Sequence, residues 1–213
     1  MAAWVRLFRR EAPLARERAE AAINLSTEHM FPYGVRVGTL VRDLALVEQG
    51  RAKDGITQIQ QRFMPFGIAL EAEAYGKMGQ IEKGLTLLAE ALTLVDKTGE
   101  RCYEAEIYRL KGKLTLQQCN VQGATLKDTE AKAEACFLKA IEIACKQKAK
   151  SLELRAATSL AHLWQQQGKR TEAHQMLSDV YNWFTEGFDT KDLQEARALL
   201  GTLAGESADT RVA

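Results

Sequence analysis

Between Ile81 and Lys97 the apolar positions fall at Leu85, Leu88, Leu92 and Val95, with Leu87, Ala91 and Leu94 on the neighbouring face. That spacing is helical, and a stripe so wide predicts a helix covered from two sides, as in a stacked array. Small residues (Ala72, Gly76, Gly84, Ala91) recur where two helices of a hairpin must approach closely. With a turn at Gly79-Gln80, the stretch Glu71–Gly99 reads as one helix–turn–helix unit, and the chain repeats this pattern with glycine or polar punctuation.

The same pattern predicts a helix over Glu11–Glu28, with Pro13 in its first turn, where a missing N–H costs nothing. Trp4, Val5, Leu7 and Phe8 before it read as the remnant of a first helix. Further pairs follow: Val35–Gln49 with Ala52–Arg62, Phe66–Met78 with Ile81–Lys97, Tyr103–Gln118 with residues 129–148, and Ser151–Gln167 with Thr171–Thr185. The polar stretch CNVQGATLKD is expected as a loop, with Asp128 or Thr129 as the N-cap that ends it. A single helix, Asp189–Leu203, closes the array, and residues 205–213 form a polar, disordered tail. Residues 1–204 thus read as one all-α helical-repeat domain, irregular near 50–66.

That irregularity is a matter of register. The equivalent small residues of the second helices are Ala15, Gly55, Gly84, Ala133 and Ala173, and the step from Gly55 to Gly84 is shorter than the rest. It falls below the roughly 34 residues of the shortest common helical-hairpin repeat. Either Ala52–Arg62 is a stunted helix that leaves a gap, or Ala52–Met78 is one long helix kinked at Pro65, which would open the hairpin to domain swapping.

Composition narrows the function. The formal net charge is +1 with both signs interspersed, which excludes a dedicated nucleic-acid or anionic-membrane surface. No run approaches the roughly 18 apolar residues of a membrane helix. At the N-terminus the apolar residues precede the arginines, the reverse of a signal peptide, so a cytoplasmic protein is expected. Cys102, Cys119, Cys136 and Cys145 form no Cys-x-x-Cys pair and have no His at ligand spacing, which points to structural thiols and no metal. No phosphate loop, dinucleotide fingerprint or His-Glu-x-x-His motif occurs, so no catalytic residue and no cofactor are assigned.

EAYGKMGQIEKGLTLLAEALTLVDKTGERCYEAEIYRLKGKL, ELRAATSLAHLWQQQGKR and YNWFTEGFDTKDLQEARALL resemble tetratricopeptide repeats (TPRs) of the longer type found in the transcription activator MalT. More narrowly, they resemble the C-terminal regions of large bacterial signalling proteins that carry a cyclase or DNA-binding domain and a STAND-type ATPase. The resemblance spans Trp4 to Leu203 and implies a right-handed superhelix with a C-terminal capping helix, acting as sensor or scaffold. The chain departs from the pattern by lacking cyclase and ATPase parts, by its shortened register near Arg62–Pro65, and by placing Asp43 where the repeat normally holds a small residue.

A helical-repeat array offers a groove lined by its first helices. The packing residues place Glu73, Lys77, Arg109, Lys113, Gln117, Arg155, Thr158, His162, Gln165 and Gln166 on that face. The set is polar and mildly basic, and Arg forks pair with carboxylates bidentately, so an acidic protein or peptide partner is expected. His162 would add a pH-responsive contact. Trp164 and Tyr75 are expected as plugs between the helices of their hairpins, and Trp183, Phe184 and Phe188 as the cap of the apolar stack. The function expected is a non-catalytic interaction scaffold or sensor. A small-molecule inducer sensor implied by the MalT-type repeats, and a degenerate fragment of a cyclase gene, stay open beside it. Apolar surface left by the first-helix remnant and the irregular hairpin favours a homodimer.

Overall fold

The computed structural model describes residues 2–51, 65–122 and 126–205. Ten helices and no strand occur among them: α1 Ala2–Phe8, α2 Ala12–Glu28, α3 Pro32–Glu48, α4 Pro65–Lys77, α5 Ile81–Thr98, α6 Glu104–Gln122, α7 Leu126–Gln147, α8 Lys150–Gln166, α9 Arg170–Tyr181 and α10 Lys191–Gly205. The chain is all-α, as the periodicity predicts. It divides into two compact units, Met1–Ala91 and Leu92–Ala213, the division falling within α5. The expected helix Ala52–Arg62, and the choice between a stunted helix and one kinked at Pro65, fall on residues outside those described. So does the expected tail beyond Gly205.

In the first unit α1 packs on α2 and α3. Ala12, Ala15 and Ala19 of α2 meet Val41, Leu44, Ala45 and Val47 of α3, with Leu7 of α1 and Ala74 of α4 completing the core. Small residues let the helix backbones approach: a Cβ on Gly38 would come within 2.7 Å of Ile23. Pro13 sits in the first turn of α2, as expected. The rings of Trp4 and Phe8 lie 5.4 and 6.0 Å from that of Phe66, so the start of α4 seats against α1. α4 is buried along most of its length, from Pro65 to Gly76. It ends in a turn where Gly79 takes φ +76°, a left-handed conformation that glycine adopts without strain, and Gln80 N–H bonds the Tyr75 carbonyl at 2.9 Å. Tyr75 is buried in this hairpin with the Lys83 ammonium 4.0 Å from its ring centre, a packing role as expected.

The second unit is built from two hairpins and the closing helix. α6 lies tight against α7, where a Cβ on Gly112 would meet the Phe137 ring at 2.6 Å. Ala133 and Phe137 of α7 then bury Leu160 and Leu163 of α8. Leu154, Ala157 and Ala161 of α8 pack with Ala173, Leu177 and Val180 of α9 and with Leu193, Ala196, Leu199 and Leu203 of α10. Trp164 joins both clusters, and its indole N–H reaches back to Glu134 of α7 at 2.8 Å. It therefore ties one hairpin to the previous one as well as plugging its own.

Several boundaries differ from the periodicity reading: α3 begins at Pro32 and not Val35, and α10 at Lys191 and not Asp189. α6 continues through Gln122 and α7 is already helical at Leu126, so most of the expected polar loop is helix. Polarity alone does not break a helix. Thr129 is accordingly a buried residue inside α7 and not its N-cap, while Asp128 lies in the first turn, where the helix dipole favours an acid. α9 ends at Tyr181, short of Thr185. Trp183 and Phe184 N–H groups bond carbonyls three residues back, tightening the last turn, and Gly187 at φ +77° then redirects the chain. The aromatic cap is also different. Phe184 packs on the core, but Trp183 and Phe188 remain 59% and 45% exposed. The stack is covered by the leucine face of α10.

Candidate partner-binding face

The predicted groove residues divide between the two units. In the first, Lys77 bridges Glu48 of α3 at 2.8 Å and Glu73 at 3.7 Å, so two predicted residues, Glu73 and Lys77, pair with each other and fasten α4 to α3. The other eight lie on α6 and α8. These helices touch one another, and α8 touches α10, so one continuous face runs across all three.

At the centre of that face is Glu106, which the groove reading omitted. It is 3% exposed and accepts two hydrogen bonds from Arg109, from Nε and Nη2, both at 2.8 Å. Arg155 of α8 approaches the same carboxylate through Nη1 at 3.0 Å, and Arg109 Nη1 lies 3.5 Å from Ser159 Oγ. Burial alone would raise the Glu106 pKa. The Arg109 and Arg155 charges, the Arg109 hydrogen bonds and the Lys113 charge outweigh it and bring the carboxyl down to about 2. Arg155 also faces α10, its Nε 3.8 Å from Asp192 Oδ2. One carboxylate thus gathers two guanidinium groups from different helices, and one of those reaches a second carboxylate on a third helix.

The predicted cations of the face are therefore partly neutralised from within. Arg109 is a buried member of this network, not a groove-lining side chain open to solvent. Arg155 is half-buried between Glu106 and Asp192, and Lys113 adds its charge from the next turn of α6. Beyond this charged end the face turns to amides. Gln117 holds a buried side-chain oxygen with no hydrogen-bond partner, and Gln165 and Gln166 follow on α8. Thr158 returns its hydroxyl hydrogen to the Leu154 carbonyl, a bond within its own helix. His162 has its pKa lowered by burial, with Glu195 of α10 opposing that shift. The acids that the groove reading missed had a sequence signal: Glu106 precedes Arg109 by three residues, and Asp192 and Glu195 share one face of the closing helix.

Among the described residues no cluster of three or more His, Cys, Asp or Glu side chains is arranged to hold a metal ion. Cys136 is half-buried and desolvation raises its thiol pKa, whereas Cys102 and Cys145 are exposed and fill no core position. Partial desolvation and the neighbouring Glu153 raise the Cys145 thiol. No described helix is long and apolar enough to cross a membrane.

No protein-family model and no curated protein matches this chain. Solved structures do. BtubC (BKLC) from P. vanneervenii aligns over 93% of this chain and 91% of its own, with a TM-score of 0.58 at 12% identity. A crystal structure of nearly identical TPR-like repeats from a putative kinesin light chain of Podosopora anserina aligns over 94% and 92%, with a TM-score of 0.51 at 14% identity. The fold is a TPR-like helical repeat. In TPR-like terms α6 and α8 are first helices of successive hairpins. At these identities the likeness carries the fold and not the residues of the face.

Proposed function

We propose that this chain is a non-catalytic protein-interaction module that binds an extended acidic segment of its partner along the α6–α8 face. The observation that carries this reading is the convergence of Arg109, Lys113 and Arg155 around Glu106, which holds cationic side chains in fixed geometry beside the Gln117 amide, whose buried oxygen is unpartnered. The Arg155 fork, held in place by Glu106, loses little entropy on meeting a carboxylate. The Gln117, Gln165 and Gln166 amides would take main-chain groups of the segment, with Thr158 and His162 on the same arc of α8. Glu73 and Lys77 stay in the proposal as a separate polar contact on the first unit.

The kinship with repeat regions of STAND-type signalling ATPases belongs to the same proposal, supported by the three resembling segments and by the TPR-like fold. So does a cytoplasmic homodimer, supported by Val5, Phe8, Leu14 and Leu25, which α1 and α2 leave exposed. Sedimentation equilibrium tests the dimer; a monomer at all concentrations removes it. The binding reading is tested by affinity capture with Lys113→Glu as the variant, because Arg109 and Arg155 hold Glu106 by direct contact whereas Lys113 adds charge from a turn away. Loss of a partner captured by the unmodified chain, at unchanged helicity, supports the face; undiminished capture overturns it.

A further inference from the structure

The three cations of the α6–α8 face are not held equally. Arg109 and Glu106 are both buried, paired through two short hydrogen bonds one turn apart on the same helix. No ligand can reach that pair without unpacking α6. Arg155 is different. It stands on α8 with its Nη1 edge on Glu106 at 3.0 Å and its Nε edge turned to Asp192 at 3.8 Å, beyond hydrogen-bond distance. Both members of that second contact keep solvent access, at 18% and 16% of their side-chain surface.

Asp192 belongs to α10, whose grip on the rest of the unit comes from Leu193, Ala196, Leu199 and Leu203. Asp192 itself is no part of that apolar face. We infer that Arg155 is the anchor for a partner carboxylate and that Asp192 is an internal competitor occupying that anchor in the unbound chain. The incoming carboxylate takes the Nε edge, Asp192 turns to water, and Glu106 keeps the guanidinium in place throughout. The closing helix therefore both covers the core and sets the threshold for binding: only a ligand carboxylate with additional contacts on Lys113 or the glutamine amides displaces a tethered aspartate. This rests on reading the face as a site for acidic segments, and names the residue that sets its affinity.

The test uses the full chain and a fluorescein-labelled tetraglutamate peptide, with tetraglutamine as control, followed by fluorescence polarisation at low salt. Asp192→Asn should tighten tetraglutamate binding about three- to fivefold, the range expected for removing one partly exposed competitor. Glu195→Gln, which removes the same charge one turn further along α10, should change it by less than about twofold. Arg155→Lys on the Asp192→Asn background keeps the charge facing Glu106 but loses the fork, and should reverse the gain. Circular dichroism reports that each variant stays helical. Equal gains from Asp192→Asn and Glu195→Gln would mean a bulk charge effect and overturn the inference. An Asp192→Asn variant no tighter than an unmodified chain that does bind would overturn the competitor and leave the acidic-segment reading standing. Failure of both the unmodified chain and Asp192→Asn to bind tetraglutamate would overturn both.

Discussion

Replacing Glu106 by Gln removes one charge and almost no volume, so its effect reads the electrostatics of the face directly. The carboxylate accepts two hydrogen bonds from Arg109 at 2.8 Å and faces Arg155 at 3.0 Å, while 3% exposed. With Gln in its place, two guanidinium groups from neighbouring helices are left facing a neutral amide, one of them buried. Removing one partner of a buried pair typically costs about 3–5 kcal/mol. The downward displacement of the carboxyl from 4.5 to about 2 gives an independent figure of about 3 kcal/mol, at roughly 1.4 kcal/mol per pKa unit. Because the folded-state pKa is depressed, this stability is fully present above the unfolded value and is lost as pH falls through the folded one, between about 4.5 and 2. Glu106→Gln should therefore lower urea-unfolding stability at pH 7 by about 3 kcal/mol and flatten the acid limb of the stability curve. The assay is far-UV circular dichroism against urea at several pH values. A loss under about 1 kcal/mol at pH 7 would refute the idea that one carboxylate organises α6 and α8.

Asp43 carries the opposite sign. It is 1% exposed in α3, with Oδ2 unpartnered and Arg42 on Oδ1, and burial raises its pKa. A raised acid penalises the fold above its folded pKa, and the penalty fades as pH falls below it. Asp43→Ala should stabilise the chain by about 1 kcal/mol at pH 7 and by less near pH 4, measured by urea unfolding; destabilisation at pH 7 would sink this. Gly112→Ala drives a Cβ to 2.6 Å from the fully buried Phe137 ring, and overpacking of that kind costs about 1–3 kcal/mol. Adding Phe137→Leu should recover part of that loss by thermal melting, and no recovery would mean the clash lies elsewhere. Deleting residues 189–213 bares Leu154, Ala161, Leu177 and Val180 under α10. The truncated chain should bind the dye ANS and lose solubility, and a chain that stays as soluble and stable as the parent contradicts the capping role of α10.

The fold is legible because its signal is periodic and redundant. Leu88, Ala91 and Val95 are buried on one face of α5, and Leu154, Ala157 and Ala161 on one face of α8, as 3.6-residue spacing requires. Turn glycines Gly79 and Gly168 sit at positive φ where the punctuation predicts hairpins. Helix ends are less legible, since α9 is terminated by local turn bonds and α6 runs through residues whose polarity suggests a loop. The face is legible by halves. Spacing puts Arg155, Thr158, His162, Gln165 and Gln166 outside the buried stripe of α8, but the periodicity of one helix says nothing about its neighbours. Whether Arg155 is open or answered depends on Glu106 of α6 and Asp192 of α10, more than thirty residues away on either side. Pairing of that kind becomes visible only when the helices are assembled.

That the α6–α8 face receives an acidic segment is tested most directly by backbone amide chemical shifts of the isotopically labelled full chain, recorded during titration with tetraglutamate. Saturable shifts should group around Lys113, Gln117, Arg155, His162 and Gln166, with a further change at Asp192 as its side chain leaves Arg155. Shifts confined to the outer surfaces of α7 and α9, or none at saturating peptide, would contradict it.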